Sequence, residues 1–206
     1  MKPAIFTILA ASLLLQACAT APQPVSVQLK YTPGDNRQIS PPKGEEKVNL
    51  QIAQLDISDN RVDKDHLGST DVPIYGFGIT DWVRGGFLSL SAFGYSFPQA
   101  NAGANPSGLA LKVNINRTSC RGTLMHMRCT VLMEVEYLSG GKLIQKAQYY
   151  GAEMDDRSIW VGTSHFGEDS VLQSLNSALD QCLIKIEGDL RKLRQSGGAN
   201  RGRVSL

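Results

Sequence analysis

The chain has 206 residues, of which 42% are hydrophobic and 19% are charged, and its formal net charge at pH 7 is +2. These proportions are typical of a globular protein, so they exclude a disordered chain and a protein with many membrane spans. Five basic residues follow the last acidic residue, Asp189; setting these and Lys2 aside leaves 15 of the 21 basic residues against 19 acidic ones. The main body is therefore mildly acidic, and without a basic stripe interleaved with aromatic residues it is not expected to bind nucleic acid.

Residues 1–17 have the pattern of a secretory signal peptide. Lys2 gives a positive start, and the apolar run from Ala4 to Leu15 is too short to cross a bilayer, which takes about 20 apolar residues in a helix. The run leads into Leu15-Gln16-Ala17-Cys18, which resembles a bacterial lipobox. That resemblance implies cleavage before Cys18, diacylglycerol on its thiol and acylation of its new amino group. An ordinary signal peptide followed by a structural cysteine stays the alternative.

Residues 18–47 are predicted to form a lipidated tether, because five prolines stand there among small and polar residues. Within this segment Val25, Val27, Leu29 and Tyr31 alternate with polar residues, so a short edge strand is possible there. We expect residues 48–195 to form a single periplasmic α+β domain and residues 196–206 to form a disordered basic tail.

The first strand of the domain is predicted around Val48 to Ile57, with a bulge near Ala53-Gln54 because the apolar alternation there slips by one residue. A polar loop is expected from Asp59 to about Phe77. A helix is predicted next, with Thr80 or Asp81 as its N-cap. Its apolar residues recur at roughly helical spacing: Ile79, Val83, Phe87, Leu90 and Phe93.

A meander of three strands follows, at Leu109 to Ile115, Cys129 to Tyr137 and Leu143 to Tyr150, in each of which apolar and polar residues alternate. A three-residue loop, Gly140 to Lys142, is predicted between the second and third strands. It places Val135 opposite Ala147, whereas a two-residue loop would place Val135 opposite Lys146 and bury a charge. The same register pairs Met133 with Tyr149 and Glu136 with Lys146.

The clearest helical pattern lies near the C-terminus. Acidic residues stand at its start and basic residues at its end, as the helix dipole favours. A helix with one apolar stripe is expected to lie on a sheet, so the order of elements predicts an α+β fold. We expect an antiparallel sheet of about four strands with both helices on one face. The stripe consists of Leu172, Leu175, Leu179, Cys182, Leu183, Ile186, Leu190 and Leu193.

Three cysteines remain besides the one in the lipobox, in a compartment where disulfides form. The register that keeps the alternating apolar residues of the first two meander strands in the core sets Ser119 opposite Cys129. Cys120 is then diagonal to Cys129, close enough for a bridge if the end of the ladder twists or bulges. We predict a Cys120–Cys129 disulfide and a buried Cys182 thiol. A Cys129–Cys182 bridge stays the alternative, since both residues face the core.

No catalytic constellation is found in the sequence. Gly162 to Phe166 has the serine of a nucleophile elbow, but Phe166 stands where the second glycine is needed. Asp63 to Gly68 has the glycine of a calcium loop, but Leu67 and Ile74 stand where oxygen ligands are needed. The cysteine spacing matches no zinc site. We therefore expect no enzyme activity, no cofactor and no metal.

The arrangement resembles the YajG-like family of bacterial outer-membrane lipoproteins. The resemblance is carried by the lipobox at Cys18, the first strand, Asp59-x-Arg61 after it, Leu67-Gly68 and the helix running into Gly94-Tyr95. It implies a non-catalytic envelope lipoprotein with a binding or scaffolding role. An accessory subunit of a transport or of a polymer or lipopolysaccharide assembly complex, with an envelope protein as partner, is the alternative.

Ala19 follows the lipobox cysteine, where an aspartate marks inner-membrane retention in many bacteria. We therefore expect the protein to be held by its lipid at the periplasmic face of the outer membrane. The sequence does not define an oligomeric state.

Overall fold

The computed structural model describes residues 24–33, 47–68, 73–98, 108–122, 126–155 and 167–201, with the side chains of the last range described up to residue 195. The strands are β1 (Val25–Gln28), β2 (Leu50–Asp59), β3 (Ile74–Phe77), β4 (Tyr95–Ser96), β5 (Leu109–Gly122), β6 (Met127–Ser139) and β7 (Lys142–Asp155). The helices are α1 (Ile79–Ser89), followed directly by a 3-10 turn at Leu90–Phe93, and α2 (Glu168–Arg201).

The predicted α+β class is confirmed, but the main sheet is mixed rather than antiparallel. Among the described residues it has five strands in the order β4-β2-β5-β6-β7, and a separate ribbon pairs β1 with β3. β5, β6 and β7 form the expected antiparallel meander, whereas β2 runs parallel to β5 and to β4. The parallel pairing arises because α1 lies between β2 and β5 in the chain, and a crossover through a helix returns the chain to the same end of the sheet.

The predicted registers of β2 and of the last hairpin agree with the structure, whereas at the end of the β5–β6 pair Cys120, and not Ser119, lies opposite Cys129. The bulge in β2 falls between Ile52 and Gln54, as the slip in its apolar pattern indicates. In the last hairpin Val135 lies opposite Ala147, and the pairs Met133–Tyr149 and Glu136–Lys146 are also formed. The apolar residues of β5 and β6 consequently face one side, where they are buried under the helices.

The predicted three-residue hairpin loop is wrong, although the register it was used to derive is right. Ser139 pairs with Lys142 across a two-residue turn, Gly140-Gly141, whose φ angles are 56° and 76°. Glycine adopts such angles without strain, and the resulting turn matches the twist of the flanking strands. The extra residue is absorbed by a register shift after Tyr137, where Leu138 pairs with Leu143. This bulge keeps Lys146 off the buried face.

Both helices pack on the same face of the sheet. α1 begins after Gly78, which has a φ of 77° and takes the N-cap position predicted for Thr80 or Asp81. α2 buries the predicted apolar stripe, including Leu175, Leu179 and Leu183, on β6 and β7. The helix continues through residues 196–201, a segment expected to be disordered, because extending a formed helix is less costly than starting one. Residues 202–206 lie outside the described residues.

The predicted tether, residues 18–47, is corrected by the structure, because part of it belongs to the folded domain. β1 pairs in parallel with β3, a strand that falls inside the predicted polar loop. Val27 is completely buried, and Leu29 N donates a 2.9 Å hydrogen bond to Phe77 O. The short edge strand considered for this segment is therefore present. Residues 34–46 lie outside the described residues.

α2 approaches the sheet closely at Gly151 of β7, where a Cβ atom would lie 1.8 Å from Ala178 O. We predict that Gly151→Ala lowers the free energy of unfolding by about 3 kcal/mol, because the clash is with backbone that has no room to move. Gly188→Ala is the matched control, since a Cβ there meets no atom within 4 Å. It is expected to stabilise the helix by about 0.5–1 kcal/mol. Urea denaturation measures both; equal stability of the two variants would contradict the packing described.

Candidate functional site

The segment that follows β1 is fastened to α2 by a tyrosine. Tyr31 donates a 2.7 Å hydrogen bond from its hydroxyl to Asp180 Oδ1, and Ser89 Oγ of α1 lies 3.3 Å from the same hydroxyl. Asp180 is completely buried. Burial raises the pKa of Tyr31 well above its usual value, so the hydroxyl keeps its proton and acts as the donor. This contact joins the N-terminal segment to both helices.

A second buried polar contact lies one turn earlier on α2. Asn176 Oδ1 accepts a 2.7 Å hydrogen bond from Trp82 Nε1 of α1, and Asn176 Nδ2 donates a 2.9 Å hydrogen bond to Thr32 Oγ1. A buried amide stabilises a structure only when its donors and acceptor are matched, as they are here. Asn176 therefore links α1, α2 and the N-terminal segment at a single point.

These contacts place the start of the described chain at one end of the domain, which we call the anchor end. α2 begins there, with Glu168 Oε1 3.4 Å from Gln28 N, and runs antiparallel to β7 towards the Gly140-Gly141 turn. The loop before β3 ties the ribbon to the same end of the sheet, since Leu67 N donates to Ile74 O and Leu67 O accepts from Cys120 N. The opposite end, with the turn, is called the turn end.

The structure contains a disulfide between Cys120 and Cys129 at the anchor end. The two residues lie directly opposite each other because the β5–β6 register shifts between Ile115 and Arg117, the bulge that the pairing requires. Cys182 is a buried free thiol whose Sγ lies 3.8 Å from Val131 O, and burial raises its pKa to about 12. The alternative bridge between Cys129 and Cys182 is not formed. Cys18 lies outside the described residues.

The Asp59-x-Arg61 motif closes the loop after β2. Arg61 Nε and Nη2 donate 2.9 Å hydrogen bonds to the two carboxylate oxygens of Asp59, and Nη2 also donates to Lys64 O. Although burial alone raises it, hydrogen bonding to Arg61 holds the pKa of Asp59 below its usual range. The pair therefore has a structural role in shaping the loop.

The loop from Asp63 to Gly68, whose sequence resembles part of a calcium-binding loop, uses its side chains for local contacts. Asp63 Oδ1 accepts a 3.1 Å hydrogen bond from His66 N, and the His66 ring packs edge-on against Tyr75, 5.5 Å between centroids. Within the described ranges no group of three or more His, Cys, Asp or Glu residues is placed to hold a metal ion. The Gly162–Phe166 sequence lies outside the described residues.

The turn end carries a buried tyrosine pair. Tyr137 and Tyr149 share a 2.6 Å hydrogen bond between hydroxyls, and Tyr149 donates a 2.7 Å hydrogen bond to Asp189 of α2. Although burial alone raises it, hydrogen bonds from Lys192 and Tyr149 hold the pKa of Asp189 below its usual range. The cluster fixes the far part of α2 to the meander.

The exposed edge of β7 is partly covered by α2. The Gln181 side-chain amide donates to Ala152 O at 2.6 Å and accepts from Ala152 N at 3.3 Å, as a neighbouring strand would. Lys185 Nζ donates a 2.6 Å hydrogen bond to Tyr150 O. Covering these backbone groups prevents another strand from pairing there.

Sequence reasoning missed the residues that join the N-terminal segment to the helices. Asn176 and Asp180 are polar residues, four apart, that lie beside Leu175 and Leu179 on the buried face of α2. Polar residues on an apolar stripe indicate buried hydrogen bonds, so this signal was available. Their partners Tyr31 and Trp82 carried no such signal.

No described helix is long and apolar enough to cross a membrane. No known protein-family model matches this sequence, and no curated protein resembles it closely enough to count as a relative.

The fold, however, resembles solved structures. Protein XCC0632 from Xanthomonas campestris, of the family DUF330, is 12% identical with a TM-score of 0.59, over 85% of this chain and 99% of that one. An uncharacterized protein is 10% identical with a TM-score of 0.52, over 82% and 99%. A minor lipoprotein from Acinetobacter baumannii is 14% identical with a TM-score of 0.40, over 70% and 95%. At such identities the first two likenesses show a shared fold and nothing about activity.

The cysteine arrangement predicts a distinct chemical behaviour for each thiol. Trypsin cleaves after Arg121 and Arg128, so non-reducing digestion is expected to yield one peptide with Cys120 linked to another with Cys129. Iodoacetamide is expected to modify Cys182 only in denaturant, because the thiol is buried and its pKa is about 12. Mass spectrometry reads both results. A Cys129–Cys182 link, or rapid modification of Cys182 in the native protein, would contradict the structure.

Tyr31→Phe tests the attachment of the N-terminal segment. Removing the hydroxyl leaves the buried Asp180 carboxyl without one of its donors, so we predict a loss of about 1–3 kcal/mol in the free energy of unfolding. Tyr75→Phe is the control: the residue is 36% exposed, and a change within about 0.5 kcal/mol is expected. Urea denaturation compares the two variants. Equal stability would mean that the Tyr31 contact does not hold the segment.

Proposed function

We propose that this chain is a non-catalytic bacterial envelope lipoprotein, held by lipid on Cys18 at the periplasmic face of the outer membrane, with a binding or scaffolding role. The observation that carries the proposal is the short distance in sequence between the lipobox and the fold. β1 starts at Val25, seven residues after Cys18, and it belongs to the domain because it pairs with β3 and buries Val27 completely. A chain cleaved at the lipobox would present a folded domain directly at the membrane surface.

Two further observations support an envelope location. The Cys120–Cys129 disulfide is compatible with an oxidising compartment, and such bonds are rare in the reducing cytosol. Ala19 after Cys18 favours sorting to the outer membrane. We also propose that the chain is a member of the YajG-like family. The Asp59-x-Arg61 motif that carries part of this resemblance closes the loop after β2, so the motif has a structural role in this domain.

The alternative is an accessory subunit of a transport or polymer assembly complex. It is favoured by the turn end, where Leu143 and Ile144 are 56% and 49% exposed next to each other on the edge strand β7. Neighbouring exposed apolar side chains on a sheet edge are a common feature of protein interfaces. Affinity purification of the tagged, lipidated protein from its own envelope separates the two functions. A stoichiometric membrane protein that is lost in Leu143→Ser, but kept in the similarly exposed Leu88→Ser, would favour the accessory subunit.

Lipidation is tested by Cys18→Ala. We expect wild type to incorporate labelled fatty acid and the variant to remain an unlabelled, uncleaved precursor, because the thiol is the site of modification. Cys182→Ala is the control, since it removes a different cysteine and should be labelled like wild type. Equal labelling of wild type and Cys18→Ala would rule out the lipid anchor. Recovery of mature wild type mainly with the inner membrane would rule out the proposed sorting.

A further inference from the structure

We propose that the outer face of the β1–β3 ribbon, with Tyr75 and Phe77, lies against the lipid bilayer to which the protein is anchored. This inference rests on the proposed function, because it requires the lipid on Cys18. It goes further by assigning a membrane-contacting surface to the folded domain and an orientation of the domain on the membrane.

The outer face of the ribbon is uncharged and partly apolar. Tyr75 and Phe77 stand two residues apart on β3, so their side chains point to the same side, and they are 36% and 45% exposed. Ser26 and Gln28 of β1 lie opposite them in the register and are also exposed. The other side of the ribbon is buried in the core, including Val27 and Ile74. The ribbon is therefore a two-sided element with one aromatic side turned outwards.

The chain between the lipidated cysteine and the ribbon is short, and this favours the membrane as the binding partner of Tyr75 and Phe77. Val25 is seven residues after Cys18, and a fully extended chain spans at most about 3.6 Å per residue, so Val25 stays within about 25 Å of the lipidated cysteine. Because the ribbon has only four residues in each strand, Tyr75 and Phe77 lie close to that point. The bilayer surface is therefore always within reach of this face of the ribbon.

The chemistry of the two side chains fits the boundary between headgroups and acyl chains. Aromatic rings are enriched at membrane–water interfaces, and the tyrosine hydroxyl can face water while its ring is buried. Two rings alone bind a bilayer weakly. The lipid, however, makes the contact intramolecular and raises the effective concentration of the surface, so a weak contact is populated.

The loop next to the ribbon adds both apolar and charged groups to this end of the domain. It exposes Val62 completely and packs His66 against Tyr75, and it also exposes Asp63, Lys64 and Asp65. The exposed Leu143 lies at the turn end, nine residues along β6 from the disulfide, which is about 30 Å at the rise of a strand. Leu143 consequently faces away from the membrane and serves as a matched control.

The test uses tryptophan fluorescence in the full lipidated protein. Trp160 is first replaced by phenylalanine, so that the buried Trp82 is the one native tryptophan left, and the emission of this parent protein is measured. Three variants are then made in the parent: Phe77→Trp, Tyr75→Trp and Leu143→Trp. Each protein is reconstituted into phosphatidylcholine vesicles with and without brominated acyl chains. Phe77→Trp and Tyr75→Trp are expected to show a blue-shifted emission that loses intensity in the brominated vesicles, whereas Leu143→Trp is not. Because the contact is apolar, quenching should persist in high salt.

Each outcome has a defined meaning. If the proteins float with the vesicles but positions 75 and 77 are quenched no more than position 143, the membrane contact is overturned while the lipid anchor stands. If wild type does not float and carries no lipid, the proposed function fails and this inference fails with it. A blue shift at position 77 that appears in detergent and disappears on dilution would identify a second copy of the chain as the occupant. That result would also overturn the membrane contact.

Discussion

The whole domain depends on the close approach of α2 to the sheet at Gly151, where no space remains for a methyl group against Ala178. With the helix backbone so near, the stripe that includes Leu175 and Leu183 is buried on β6 and β7. The same helix then offers a surface to the other elements. Gly86 of α1 lies against it, and its two buried polar residues fasten the N-terminal segment. α2 thus organises the chain around one long contact.

This organisation explains how an anchor at one end of a chain can orient a domain. The hydrogen bonds from Tyr31 to Asp180 and from Asn176 to Thr32 link the segment after β1 to a buried part of α2, and the ribbon is held at the start of that helix. A lipid placed a few residues before β1 would therefore be connected to a rigid body through a short link. A flexible spacer would leave the domain free to rotate. The hydrogen bonds of Tyr31 and Asn176 restrict that freedom.

Much of the sheet could be predicted from the sequence because alternation determines which side chains face the core. The pairing of Val135 with Ala147 follows from it, and so does the proximity of Cys120 and Cys129 once a bulge is allowed. Alternation does not define neighbours, so the parallel pairing of β2 with β5 was missed. β3 lies within the predicted polar loop, and the sequence does not indicate a strand there because the strand is short and contains Gly76. The partners Tyr31 and Asp180 are 149 residues apart, and no local pattern connects them.

The central claim is that the segment after the lipobox is part of the fold and not a tether. Hydrogen exchange on the mature, lipidated protein tests it directly, since the amides of Val25 and Leu29 donate to Pro73 O and Phe77 O. The account predicts that these two amides are protected to nearly the same degree as the amide of Val83, in the buried part of α1. Exchange of both at the rate of an unfolded chain, with Val83 still protected, would contradict it.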